Sequence, residues 1–187
     1  MAKRDALRKE VKRHGIIWVP LRYHRRFSVL ATSYDLAVGF FVSLYLAIRY
    51  RVRIVHARSY VMSVLAIALK RLLPLRFIFD MRGFWVDQRV EMGLWSSASR
   101  IFRLAKNLEK KFILDADVVI ALSRKAVEAM RTWPYVRSNA IQFEVITTCT
   151  NLDLFKPTQE HHKDTASPFV LGYVGNAGPG YLFDPVV

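Results

Sequence analysis

The run Asp80-Met81-Arg82-Gly83, directly after the apolar residues 77–79, is the sharpest group of chemically useful side chains. A carboxylate and a guanidinium two residues apart can orient a polyol and hold an anion, because Arg offers a planar fork of donors. The same two side chains could instead pair with each other or cap a neighbouring helix. Residues 81–95 are predicted to form a loop that contains both aromatic and charged side chains. Such a mixture favours a sugar or a peptide as ligand. We therefore interpret Asp80, Arg82 and Gly83 as candidate substrate-binding residues.

Other polar residues also follow apolar runs. Arg58 precedes a predicted helix, whose free backbone N–H groups favour anions. We interpret His56 as a packed strand histidine and Ser123 as a helix cap, since no Gly-x-Ser-x-Gly surrounds that serine. The neighbouring His161 and His162 lack partners at ligand spacing, so no metal site is predicted.

Short apolar runs alternate with helical segments along the chain. This alternation predicts βαβ units and an α/β fold with a doubly wound parallel sheet, in which ligands collect beyond the carboxyl ends of the strands. The predicted strands are 16–19, 54–57, 77–79, 118–122 and 143–146. The predicted helices are 5–14, stopped by Gly15, then 33–50, 60–71, a helix capped within 96–99 and ending near 114, and 125–131.

Three segments divide the chain. Residues 1–157 are expected to form one α/β domain, residues 158–168 a polar linker, and residues 169–187 the first strand of a second α/β domain. Because a doubly wound domain usually opens with a strand and a glycine-rich turn, while this chain opens on a helix, we expect a first strand upstream of Met1. The second domain is only begun at Val187, so the sequence is interpreted as truncated at both ends.

Charge is distributed unevenly along the chain. The net charge is +14, and residues 1–137 carry 27 Lys and Arg against 10 Asp and Glu. This excess predicts an anionic partner: nucleic acid, an anionic membrane surface or a phosphorylated substrate. The longest apolar run, residues 36–48, is shorter than the roughly 17–25 residues that span a bilayer, so we predict a buried core helix. The chain has one cysteine and no secretory signal pattern, which indicates a reducing compartment.

Taken in order, several passages resemble glycosyltransferase family 4, whose members have the two-domain GT-B architecture. Residues 108–123 are similar to that family's "E…AD-x-V-I-x-x-S" passage, and residues 145–157 to the "V-I-P-N-G-V-D-x-x-x-F-x-P" end of its N-terminal domain. Residues 79–85 resemble a variant loop of some members, and residues 172–175 resemble the opening of the donor domain.

The resemblance implies that this chain is the acceptor-side part of a retaining glycosyltransferase, with a nucleotide-sugar as co-substrate and no metal or other cofactor. Arg58, Asp80, Arg82 and Gly83 are then acceptor-binding residues, Asp80 also the candidate catalytic group, and Gly175 and Asn176 donor-binding residues. The acceptor would be lipid-linked or a polysaccharide, and the chain alone would be inactive. We expect a cytoplasmic protein, peripheral on the inner face of the membrane, with lipid contacts at residues 3–13 and 22–26. The alternative is a basic, non-catalytic binding module for nucleic acid or anionic membrane.

Overall fold

The computed structural model describes residues 2–22, 24, 29–156 and 172. The chain forms two compact units, Met1–Arg53 and Ile54–Val187. The predicted linker 158–168 and the predicted strand after it lie outside the described residues, as do Gly175 and Asn176. The predicted boundary near residue 157 therefore stays a prediction.

The first unit opens with helix α1, Ala2–Arg13. The helix ends where Gly15 adopts a positive φ of 68°, a backbone conformation that glycine accepts without steric cost. The backbone N–H of Gly15 donates to the carbonyl of Lys12 (3.0 Å), and that of Ile16 donates to Val11 (3.1 Å). These bonds satisfy the last carbonyls of the helix, so the predicted stop at Gly15 is confirmed.

The predicted strand at residues 16–19 is wrong. Residues 16–22 form no strand, and Ile16, Ile17 and Val19 are exposed. An apolar β-rich run becomes a strand only when a neighbouring strand accepts its hydrogen bonds, and the described sheet begins only at Ile54.

Helix α2, Val29–Arg49, follows in the same unit. His24 is bound to Asp35 twice, through its backbone N–H (2.9 Å) and through its ring Nδ1 (2.6 Å). The backbone hydrogen bond and then the ring contact hold the pKa of Asp35 below its usual value, so this carboxylate is ionised. His24 is thereby tied to the first turns of the helix.

The predicted burial of α2 as a core helix is wrong for most of its length. Only Gly39 and Ala47 are buried among its described side chains, and four large side chains are exposed. By length and composition the segment Ala31–Arg49, with a mean hydropathy of 1.5, could cross a membrane. A periodicity of apolar residues fixes which face they share but not what covers that face.

The described part of the second unit contains four parallel strands in the order β1-β2-β3-β4. Its elements are β1 (Ile54–Arg58), α3 (Ser59–Leu72), β2 (Arg76–Met81), α4 (Trp85–Glu91), α5 (Arg100–Asp115), β3 (Val118–Ala121), α6 (Arg124–Arg131), α7 (Pro134–Arg137) and β4 (Phe143–Val145). The α/β class with a parallel, Rossmann-like sheet is confirmed. The predicted loop 81–95 is wrong in part, because it contains α4, whose first turn carries no sequence cap.

One face of this sheet carries the core. Side chains that alternate along the strands pack with helices α3 to α7 into a single apolar cluster. At its centre the ring of Phe79 lies 5.6 Å from Phe112 and 5.8 Å from Tyr60, both edge-on or tilted. The next residue, Asp80, therefore points to the other face of the sheet.

Serine caps position two of the helices. Ser99 Oγ accepts from the backbone N–H of Phe102 (3.2 Å) at the start of α5, and Ser123 Oγ accepts from Ala126 (3.1 Å) at the start of α6. Both predicted caps are confirmed, and Ser123 acts as a cap, the role the sequence favoured over that of a nucleophile.

Candidate active site

The register of β1 and β2 brings the predicted polar residues together. Arg58 is paired with Asp80 across the two strands, and Asp80 is paired with Ile120 of β3. Since paired residues of parallel strands point to the same side, Arg58 and Asp80 share the face opposite the core. His56, two residues before Arg58, lies on that face as well. The carboxyl ends of β1 and β2 thus carry a histidine, an arginine and a carboxylate side by side.

Asp80 has one partnered oxygen and one without a partner. Its Oδ2 lies 3.3 Å from Nε2 of His56, and its Oδ1 is buried with no hydrogen-bond partner among the described residues. The residue is 8% exposed, so water cannot freely solvate that oxygen. A buried carboxylate oxygen without a donor costs free energy, which makes Asp80 a candidate for binding a hydrogen-bond donor.

His56 is a correction to the sequence interpretation. Its side chain is 51% exposed and hydrogen-bonded to Asp80, so it is not a packed strand histidine. The sequence shows only that His56 stands between two apolar residues of a strand. It does not show that the neighbouring strand places a carboxylate beside the ring.

The loop after β2 holds Arg82 and Gly83. Gly83 has a φ of 157°, and a Cβ there would lie 3.3 Å from Nε2 of Gln88, so the position favours glycine. Its carbonyl accepts from the backbone N–H of Trp85 (2.9 Å) at the start of α4. Arg82 is half-buried, and the side chain within hydrogen-bonding distance of Asp80 is His56 rather than Arg82. Gly83 therefore shapes the turn that carries the chain from the sheet into α4.

A buried polar network lies under this loop. Glu109 of α5 is 0% exposed; its Oε2 accepts from the hydroxyl of Tyr60 (2.6 Å), and its Oε1 accepts from Lys106. Lys106 also donates to Asp87 of α4 (3.0 Å). The Gly83 carbonyl lies 3.5 Å from the Tyr60 hydroxyl. This contact is weak, because the hydroxyl has a single proton and donates it to Glu109 at a shorter distance. The network joins α3, α4 and α5 beneath the loop.

Burial, followed by the charge of Glu109, raises the pKa of the Tyr60 hydroxyl. Burial lowers the pKa of Lys106, but its bonds to Glu109 and Asp87 outweigh that and raise it overall. Tyr60 is therefore a neutral donor and Lys106 a cation throughout the physiological range. Sequence reasoning missed Tyr60, Lys106 and Glu109 as site-supporting residues; the one signal was the position of Glu109 in the "E…AD" passage.

The aromatic and charged residues of 81–95 are largely engaged with the protein itself. Trp85 packs edge-on against Trp95 with ring centroids 5.2 Å apart, Arg89 stacks over Trp85, and Asp87 is paired with Lys106. Most of the aromatic and charged side chains that suggested a sugar or peptide ligand therefore contact other residues of the protein. Among the candidates, Asp80 keeps an unused hydrogen-bonding atom.

The junction of β1 and α3 has no connecting residues. α3 starts at Ser59, directly after the strand, and Ser59 has a positive φ of 72°. A non-glycine residue in that region stores strain, and such strain clusters at functional sites. The Ser59 carbonyl accepts from Oγ of the fully buried Ser63 (2.8 Å), which helps to hold the turn.

Fold and site together define an α/β domain with a parallel sheet that gathers a carboxylate, a histidine and an arginine at the carboxyl ends of two adjacent strands. The model of the family described as "Glycosyl transferase 4-like domain" matches residues 3–143, which is more than half of the chain. The chain belongs to this family, and the resemblance noted in the sequence is confirmed. No curated protein matches the chain.

Proposed function

We propose that this chain is the acceptor-side part of a glycosyltransferase that moves a sugar, with retention of configuration, from a nucleotide-sugar to a lipid-linked or polysaccharide acceptor. Family membership supports glycosyl transfer in general. The observation that carries the acceptor role is the buried, unpartnered Oδ1 of Asp80.

A sugar hydroxyl is the partner that this oxygen lacks. A carboxylate oxygen only accepts hydrogen bonds, and a hydroxyl donates one while leaving its own lone pairs free to attack. The proposed role of Asp80 is to accept that hydrogen bond and orient the acceptor hydroxyl. His56, at 3.3 Å from Oδ2, holds the carboxylate in place. Arg58, paired with Asp80 across the strands, adds positive charge for a phosphorylated or otherwise anionic acceptor.

Residues of the donor side remain proposals from the resemblance. Gly175 and Asn176 would let the backbone approach the diphosphate of the nucleotide-sugar. The leaving diphosphate carries most of the charge that develops during transfer, and preorganised donors would have to stabilise it. The proposal includes no metal and no cofactor beyond the nucleotide-sugar.

Replacing Asp80 by Asn separates a functional from a structural role. The amide keeps the shape but has one acceptor oxygen in place of two and carries no charge, so binding of the acceptor to the chain should weaken by about tenfold. The amide can keep a hydrogen bond to His56, so the thermal midpoint should stay close to that of the parent.

The measurement is binding of lipid-linked and polysaccharide acceptors to the chain by isothermal titration calorimetry, alongside thermal melting, because the chain alone is expected to be inactive. Glu91→Gln is the matched control, because it also neutralises one carboxylate but on the exposed end of α4. Parental acceptor binding by Asp80→Asn, or an equal loss of binding in Glu91→Gln, would rule out the acceptor role.

A further inference from the structure

The outward side of helix α2 carries an exposed apolar stripe, formed by Tyr34, Phe41, Tyr45 and Ile48. Each of these side chains is 59–66% exposed. Their separations of seven, four and three residues place all four on one side of an α-helix. Gly39 and Ala47, the buried residues of the helix, lie on the other side. Three of the four large side chains are aromatic, and two of these are tyrosines, whose rings are apolar and whose hydroxyls are polar.

Positively charged residues precede and follow the stripe in the sequence and are frequent in α1, the first helix of the same unit. Residues 1–53 contain twelve Lys and Arg against three Asp and Glu, a net charge of +9. Arg49, Arg51 and Arg53 are exposed at and just beyond the end of α2. In α1, Arg4 and Arg8 line a cleft of about 300 Å³ together with Asp5, Trp18 and Pro20, so two cations and one carboxylate lie beside apolar surface there.

From these observations we infer that the first unit docks on an anionic phospholipid surface, with the α2 stripe inserted at the level of the headgroups. The exposed cations supply the electrostatic attraction, and Tyr and Phe rings suit a boundary that is apolar on one side and wet on the other. This inference goes beyond glycosyl transfer and does not depend on it.

The geometry favours a helix that lies in the interface over one that spans the bilayer. The uninterrupted apolar run, residues 36–48, is about 20 Å long at 1.5 Å per residue, whereas the hydrocarbon core is about 30 Å thick. Two charged residues flank this run: Asp35, which is ionised and bound to His24, precedes it, and Arg49 follows it. A second copy of this chain is the other apolar partner to consider, but it would bring a second net charge of +9 to the same contact.

The test measures binding of the full chain to vesicles of pure phosphatidylcholine and of equimolar phosphatidylcholine and phosphatidylglycerol by co-sedimentation, without any sugar donor. We expect binding to the anionic vesicles that weakens steeply as salt rises. The double variant Phe41→Ser/Tyr45→Ser should bind about tenfold more weakly, since two inserted rings are lost. The matched control is Ile101→Ser/Leu104→Ser, which removes two apolar side chains of α5 that are 51% and 61% exposed.

A fluorescent label reports insertion directly and does not depend on affinity. In a Cys149→Ser background, an environment-sensitive dye on Tyr45→Cys should shift to the blue with anionic vesicles, whereas the same dye on Leu104→Cys should not. Circular dichroism of each variant should match that of the parent, because the changed side chains are exposed.

Three outcomes would overturn the inference: parental binding by Phe41→Ser/Tyr45→Ser, an equal blue shift at both label positions, or a concentration-dependent dimer that this variant alone abolishes. The last result would assign the stripe to a second copy of the chain. Failure of vesicle binding leaves glycosyl transfer untouched, and loss of acceptor binding in Asp80→Asn leaves vesicle binding untouched, so the two proposals are tested separately.

Discussion

Two buried carboxylates in the second unit differ in how completely they are satisfied. Glu109 is fully buried, and both of its oxygens accept short hydrogen bonds, from Tyr60 and Lys106. Asp80 is 8% exposed, and one of its oxygens has no partner among the residues that the structure describes. A satisfied buried carboxylate contributes to specifying the native packing, whereas an unsatisfied one costs free energy that a ligand can recover. The contrast separates a supporting residue from a candidate binding residue within the same part of the fold.

Removing Glu109 should strongly destabilise the second unit. Glu109→Ala leaves the Tyr60 hydroxyl and one bond of Lys106 without an acceptor, and breaking one partner of a buried pair costs about 3–5 kcal/mol. Glu109→Gln should cost less, because its amide oxygen can still accept from Tyr60. Urea denaturation gives the free energies of unfolding, and the exposed Glu91→Gln should stay within about 0.5 kcal/mol of the parent. A Glu109→Ala variant within about 1 kcal/mol of the parent would show that the network contributes little.

At the scale of elements, Asp117 joins a helix to two strands. Its Oδ2 accepts from the backbone N–H of Phe77 in β2 (2.6 Å) and from Nζ of Lys70 in α3 (2.6 Å). Its own backbone N–H donates to the carbonyl of Phe77 (2.8 Å), one residue before β3 begins. Partial burial raises the pKa of Asp117, but the hydrogen bonds from Lys70 and then Phe77 outweigh it, and the pKa lies below its ordinary value of 3.8. Asp117, the aspartate of the family's "AD" passage, thus helps to position α3 and β2 relative to the start of β3.

This lowered pKa gives the direction of a pH dependence. A carboxyl group with a depressed pKa in the folded state stabilises the protein above the unfolded value, and that contribution is lost as pH falls through the folded value. Asp117→Asn should therefore be less stable than the parent at about pH 7, and the difference should shrink towards about pH 3. Urea midpoints of both proteins across this range test it, with Asp153→Asn, an exposed turn residue, as the control. A constant difference at all pH values would mean that ionisation of Asp117 does not matter.

Across the molecule, stability should be concentrated in the middle of the described sheet. β2 lies between β1 and β3 and contributes Phe77 and Phe79, both 0% exposed, to the core. β4 has three residues, two of them exposed, and pairs only with β3. Local opening costs least where few apolar contacts hold the backbone.

Hydrogen exchange followed by mass spectrometry should show the slowest amides in Arg76–Met81 and much faster exchange in Phe143–Val145. The exposed helix α1 serves as an internal reference, because an isolated helix of twelve residues is marginally stable in water. Equal protection of β2 and β4 would indicate that the described sheet opens as one unit.

Much of the second unit is predictable from its sequence because the signals are local. Apolar runs bounded by polar residues give β1, β2, β3 and β4, and serines ahead of periodic segments give the caps of α5 and α6. Parallel strands follow from the alternation with helices, since each crossover returns the chain in the same direction. Arg58 and Asp80 were predictable as neighbours for the same reason, because both stand at strand ends.

The sequence by itself determined the α/β class, the family and the strand ends that carry polar residues. Only the tertiary structure decided that residues 16–19 form no strand, that α2 exposes an aromatic stripe, that His56 meets Asp80 and that Glu109 is fully buried. Each of these depends on what a distant part of the chain places beside the residue: a strand needs a partner for its backbone, and a carboxylate needs a donor. Local sequence fixes which way a side chain points, and packing fixes what it meets.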